Sequence, residues 1–253
     1  MSLRNIASLG IASLLSLQIS AAPIVISVTL PACSSEAAGP TSSGYSDATL
    51  PVNGGPTELP LPLSNLTLKY IALGRGYQNY TCASPSSIPA AVGAVAALFD
   101  ITSTVFTRNS SAYKFTATAV NLSLPAGTSP LDITAPLQLP GISELFPVLG
   151  HHYFTAAGTP TFNLSAAANS LILFGKKIAD VKAPVSASLG PAGTGAVDWL
   201  DLTAKNGSVG LGQVYRVLTA GGDPPVTCAG QPADGQGVGI VTIDYAAQYW
   251  FFG

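Results

Sequence analysis

From Asn65 onward the chain is written in short runs that alternate apolar and polar positions. "NLTLKYIAL" sets Leu66, Leu68 and Tyr70 on one face against Thr67 and Lys69 on the other. "AYKFTATAVNLSL" sets Tyr113, Phe115, Ala117 and Ala119 against Lys114, Thr116 and Thr118, and "VDWLDLTA" and "QVYRVLTAGG" repeat the habit before "VTIDYAAQYWFF" ends the chain. Successive side chains of a strand point to opposite faces, so a period of two predicts strands. Gly, Pro, Asn and Ser clusters separate the runs as turns. Together they predict an all-β domain: an antiparallel β-sandwich or jelly-roll-like barrel with at most one or two short helices. "SIPAAVGAVAALFDI" (Ser87 to Ile101) stays open, since an Ala-rich run of this length reads as a helix or a buried strand.

Upstream the pattern is different. Residues 1–22 carry one positive charge, Arg4, then an apolar stretch from Ile6 to Ile19, then the small residues Ser20, Ala21 and Ala22. This is the layout of a secretory signal peptide. A signal anchor is the rival, because "IVISVTL" resumes the apolar run, but Pro23 interrupts a continuous helix. "LPAC" ending at Cys33 loosely resembles a lipidation site, against which stand its distance from Arg4 and its internal Pro. Residues 23–64, rich in Ser, Thr, Pro and Gly, read as an extended arm rather than core. Residues 65–253 form the single β-rich domain.

Composition narrows the class. Of 253 residues only 9% are charged, with 10 Lys+Arg against 12 Asp+Glu, so there is no basic footprint for nucleic acid. Mean hydropathy is +0.42, yet past the N-terminus no apolar run approaches the ~20 residues of a spanning helix, which predicts no transmembrane segment after signal cleavage. The nine asparagines include six in Asn-X-Ser/Thr sequons: Asn65, Asn79, Asn109, Asn121, Asn163 and Asn206. About two would arise by chance, so the excess points to a eukaryotic, secreted, N-glycosylated protein. Of three cysteines, Cys33 lies in the low-complexity arm while Cys82 and Cys228 border strand-like runs. An oxidising compartment then pairs Cys82 with Cys228, the alternative being two buried free thiols.

Candidate chemistry is sparse. "LGRGYQNYTC" (Leu73 to Cys82) begins like a dinucleotide loop, but Asn79 stands where a third glycine belongs and no helix follows. No nucleotide and no other cofactor is expected. His151 and His152 are adjacent, so on a strand they face opposite ways and cannot share a metal without a bend; no metal site is expected. Asp198 and Asp201, three apart, are likewise split between faces and do not form a glycosidase pair. The catalytic candidates are His152 as a general base beside Tyr153, with Arg75 and Arg216, because an arginine inside a strand requires an anionic or carbonyl partner. Trp199 and Trp250 are candidates for stacking on sugar rings, against the alternative that they are core.

"GRGYQNYTC", "VGAVAALFDIT", "HHYFTAAGTPTF", "KKIADVKAPVSASLGPAGTGAVDWLDL", "QVYRVLTAGGDPPVTC" and "YAAQYWFF", in that order, resemble the domain-of-unknown-function 3455 family, whose members are mostly fungal and bacterial secreted proteins. The likeness runs from Leu61 to Phe252. It implies a β-rich domain with Cys82 and Cys228 at the family's recurrent cysteine positions, and it supplies no catalytic residue. Many fungal members carry a malate dehydrogenase label. The sequence gives that label no support, since it lacks a βαβ unit, a dinucleotide fingerprint and the His–Asp and arginine set of a 2-keto-acid site. The expectation is therefore a secreted or wall-associated protein that binds polysaccharide rather than an enzyme. The competitors are a secreted enzyme with a His152-centred cleft and a surface protein engaging a host component.

Overall fold

In the computed structural model, residues 48–52, 57–107, 112–124, 128–142, 144–231 and 239–253 are described. The signal peptide, Cys33, Asn109 and most of the arm lie outside them.

Eight strands close on themselves. β1 (Leu68–Cys82) pairs with β2 (Ala90–Asp100) on one side and with the last strand on the other. Two helices, α1 (Thr102–Thr107) and α2 (Ala112–Ala119), and a small hairpin of β3 (Leu137–Gln138) and β4 (Leu145–Phe146) follow. The remaining strands are β5 (Val148–Phe154), β6 (Pro160–Leu164), β7 (Leu171–Val181), β8 (Trp199–Ala204), β9 (Gln213–Gly221) and β10 (Gly239–Phe252). The order around the wall is β1-β10-β9-β8-β7-β6-β5-β2, every pairing antiparallel. The all-β reading holds; the fold is a closed barrel instead of a two-sheet sandwich. Closure leaves no edge strand among the eight, which removes the exposed backbone that invites pairing with other chains.

The open stretch 87–101 is strand β2, because it lies between β1 and β5 and bonds to both. The period-two reading fails at "AYKFTATA", which is helix α2. Phe115 and Ala119, four apart, are buried on one helical face together with Thr116 and Val120. Alanine is the best helix former, and a spacing of four is a period of two seen twice, so the pattern fits both structures.

Both faces of the wall are covered. Inside, Leu98, Phe162, Leu164, Leu173, Val214 and Phe251 fill one half of the barrel. Outside, Ile71, Phe99, Trp199, Tyr215, Val217, Trp250 and Phe252 pack under Val105 of α1 and Phe115, Ala119 and Val120 of α2. Leu50 and Leu59 join that outer layer, so this part of the expected arm is core. Of the three leucines in the Leu–Pro run, Leu59 is buried and Leu61 and Leu63 are exposed. Tyr215 donates its hydroxyl to the Pro60 carbonyl (3.0 Å), and Gln213 accepts from the Leu63 amide (3.1 Å).

The glycines of "LGRG" serve this packing. A Cβ on Gly74 would stand 2.5 Å from the Tyr249 ring, and one on Gly76 would meet the Val95 carbonyl and Ala96. They are close-approach positions in a strand, with no phosphate loop around them. The Cys82–Cys228 disulfide forms, joining residues 146 apart.

Candidate functional site

Antiparallel closure gathers four connections at one end of the barrel: 83–89, 155–159, 182–198 and the described part of the last, 222–231. The half of the lumen beneath them is not filled. It is a cavity of about 550 Å³ lined from all around the wall. That falls within the ~300–1,000 Å³ of small-molecule sites. An eight-stranded barrel is just wide enough to be packed solid or to hold one small ligand, and this one does the first at one end and leaves room for the second at the other.

The walls are apolar and aromatic: Phe154, Pro160, Phe162, Leu200, Leu202 and Tyr249. His152 of β5 stacks on Phe162 at 4.2 Å between ring centroids and 7° between planes. Its Nδ1 meets the Thr161 carbonyl at 2.9 Å. A carbonyl only accepts, so Nδ1 carries the proton and Nε2 is the unprotonated nitrogen. Burial pushes the His152 pKa down to about 4, with the Thr161 bond opposing and Arg216 adding slightly. The ring is neutral at pH 7. Tyr80 donates to the Gly222 carbonyl (2.7 Å), and burial followed by the Asp223 charge pushes its hydroxyl up to about 12.

Arg216 of β9 stands opposite Tyr249 of β10 in the register. Its Nε and Nη2 both donate to the Asp198 carbonyl, at 3.1 and 2.9 Å. Around it Lys182 pairs with the Asp198 carboxylate at 3.1 Å and Lys177 with Asp180 at 3.3 Å. Among the described residues no carboxylate lies within 4.0 Å of Arg216. Asp223 completes the charged rim; burial raises its pKa, Asp198 adds to this, and Lys182 and Arg216 oppose it.

The mouth is tied together by backbone bonds. The Val197 amide donates to Gly221, Asp223 to Gly195, and Gly221 to Ser188. Thr194 donates its hydroxyl to the Asp223 carbonyl. These bonds lock the 182–198 connection to the start of 222–238, so the cavity is preformed.

Of the four catalytic candidates, the fold brings His152 and Arg216 together in this cavity. Arg75 and Tyr153 are not among its lining residues, because alternation along β1 and β5 turns them outward. Arg75 is buried on the outer wall, bonded to Asp244, to the Leu122 carbonyl (2.8 Å) and to its neighbour Gly76 (2.7 Å). His151 also points outward, to the Ile133 carbonyl. The two aspartates divide as expected: Asp198 lines the cavity, while Asp201 lies buried on the outer wall and accepts from Gln213 (2.8 Å).

The stacking reading of Trp199 and Trp250 is overturned. Both are buried, at 1% and 2% exposure, in the layer beneath α2, with no face left for a sugar. Among the sequons, Asn65, Asn121 and Asn206 are exposed and Asn79 and Asn163 half-buried. Sequence reasoning missed Asp223, Tyr80 and Lys182. Asp223 in "GGDPP" carries the signature of a turn, and only the fold turns it toward the mouth.

A family model described as "Protein of unknown function (DUF3455)" matches residues 62–253. No curated protein and no solved structure matches the chain.

Proposed function

The chain belongs to the DUF3455 family of proteins of unknown function, and from that starting point we propose that it is a secreted glycoprotein that holds one small, largely apolar ligand in the mouth of its barrel. The observation that carries this is the preformed cavity of about 550 Å³ with aromatic walls, open at one end and closed by packed side chains at the other. Secretion is supported by the signal-like N-terminus, the sequons and the disulfide. A blind cavity suits a small molecule better than a polysaccharide surface, and the buried tryptophans favour the same narrowing.

A neutral fluorescent probe, 1-aminoanthracene, tests the reading. It should bind saturably to the full-length protein and lose binding in Leu200→Trp, which fills the cavity. Absence of saturable binding, or binding unchanged by the filling variant, overturns it. Release of N-glycans from protein collected outside the cell tests secretion; a chain retained inside without glycans refutes that half.

The cavity also contains what the enzyme reading needs, a neutral imidazole beside an arginine. A general base works best with a pKa near the operating pH, and His152 at about 4 is far below it. That favours binding over catalysis.

A further inference from the structure

We propose that the ligand is a monocarboxylate with an apolar body, seated with its carboxylate on Arg216. The inference rests on the barrel-mouth reading and deepens it. A guanidinium offers two bidentate edges. The edge made by Nε and Nη2 is taken by the Asp198 carbonyl. The terminal nitrogens lie beside Tyr249, which stands opposite on β10 and whose hydroxyl takes one hydrogen bond from Arg216; the edge they form has no carboxylate partner among the described residues. Two parallel N–H groups at that spacing match a carboxylate.

The surrounding charges decide which anion fits. The rim carries Lys177, Lys182 and Arg216 against Asp180, Asp198 and Asp223. Both lysines already have carboxylate partners, so among the described residues of the rim Arg216 is the cation that remains for a guest. A single negative charge on the ligand pairs with it. A second would face Asp198 and Asp223 without a further cation, and like charges in a half-dry site repel. The rest of the guest must be apolar, because it lies against Phe154, Phe162, Leu200, Leu202 and the His152 ring. Full-length protein with its arginine unfilled is held ready for this guest by the Asp198 bonds, which fix the guanidinium in place before binding.

Calorimetry on the full-length protein separates the possibilities with matched probes: 4-phenylbutanoate, its amide, phenylphosphonate as a dianion, and succinate as a dicarboxylate. The carboxylate should bind about 10- to 100-fold more tightly than the amide. Arg216→Gln should remove that difference. Equal binding of acid and amide overturns the inference and leaves the barrel-mouth reading standing, as does tightest binding of either dianionic probe. Failure of every probe, 1-aminoanthracene included, overturns both. If Arg216→Gln does not fold, Arg216→Lys keeps the charge without the fork, and wild-type preference for the acid in that variant overturns the assignment of the fork.

Discussion

Two arginines sit on strands separated by β10 in the wall of this barrel, and they have opposite fates. Arg75 on β1 points outward and is consumed: a carboxylate and three carbonyls lie within hydrogen-bond distance of its terminal nitrogens under the helical layer. Arg216 on β9 points inward and is held by the Asp198 carbonyl and the Tyr249 hydroxyl, with no acid against it among the described residues. Both are arginines embedded in apolar strands, Arg75 fully buried and Arg216 half-buried. What separates them is whether the fold supplies the counter-charge. A guanidinium that is positioned but not neutralised is a place for something else to bind.

The sharpest break of the comparison is stability. Arg75→Met leaves Asp244 without its partner and frees the Leu122 carbonyl beyond α2. With Asp244 about a third exposed, the loss should reach the lower end of the ~3–5 kcal/mol of broken buried pairs. Arg216→Met should cost only about 0.5–1.5 kcal/mol, the loss of its bonds to two neutral acceptors, the Asp198 carbonyl and the Tyr249 hydroxyl. Chemical denaturation of the two variants measures both, and equal losses would erase the distinction.

The inner wall also carries an acid sensitivity. His152 takes a proton at pH 6.5 in the unfolded chain but only near 4 when folded. Stability should therefore fall as pH drops from about 6.5 to about 4, by up to on the order of 3 kcal/mol. Melting temperature against pH should show the decline in the wild type and a flatter profile in His152→Gln. A smaller effect tests the inner packing. Gly74→Ala pushes a methyl at the Tyr249 ring and should cost about 1–3 kcal/mol by overpacking.

The smallest effect compares the two buried tryptophans. Trp250 donates Nε1 to Gln248 (3.1 Å), whereas Trp199 Nε1 has no partner among the described residues. Trp250→Phe should therefore cost about 1 kcal/mol more than Trp199→Phe. Neither change should alter probe binding at the mouth, and a loss of binding in either would return these residues to the site.

Much of the wall was legible in the sequence. The runs at 66–73, 198–204, 213–222 and 241–252 are strands or the ends of strands, and the cysteines flanking them do pair. Helix α2 was misread because Phe115 and Ala119 satisfy both periods, and the docking of α2 on β9, β10 and β1 favours the helix. Leu50 and Leu59 were hidden by composition: two leucines among prolines and glycines read as linker until a surface exists to receive them. Half of the site residues were visible as types, His152 and Arg216 among them. Their meeting was not visible, since they stand 64 positions apart in the chain.

By itself the sequence determined which residues alternate, and so that His151 and His152, or Asp198 and Asp201, must part company. It also determined the strand class and the pairing of the two domain cysteines. Only the tertiary structure decided which of the two faces is the lumen. The reason is physical. In β10 the residues Tyr249 and Phe251 on one side and Trp250 and Phe252 on the other are all buried, one set by closure of the barrel and the other by the helices outside. With apolar side chains on both faces, periodicity carries no sign. Ring closure supplied it, turning Arg75 out to a salt bridge and Arg216 in to an open cavity.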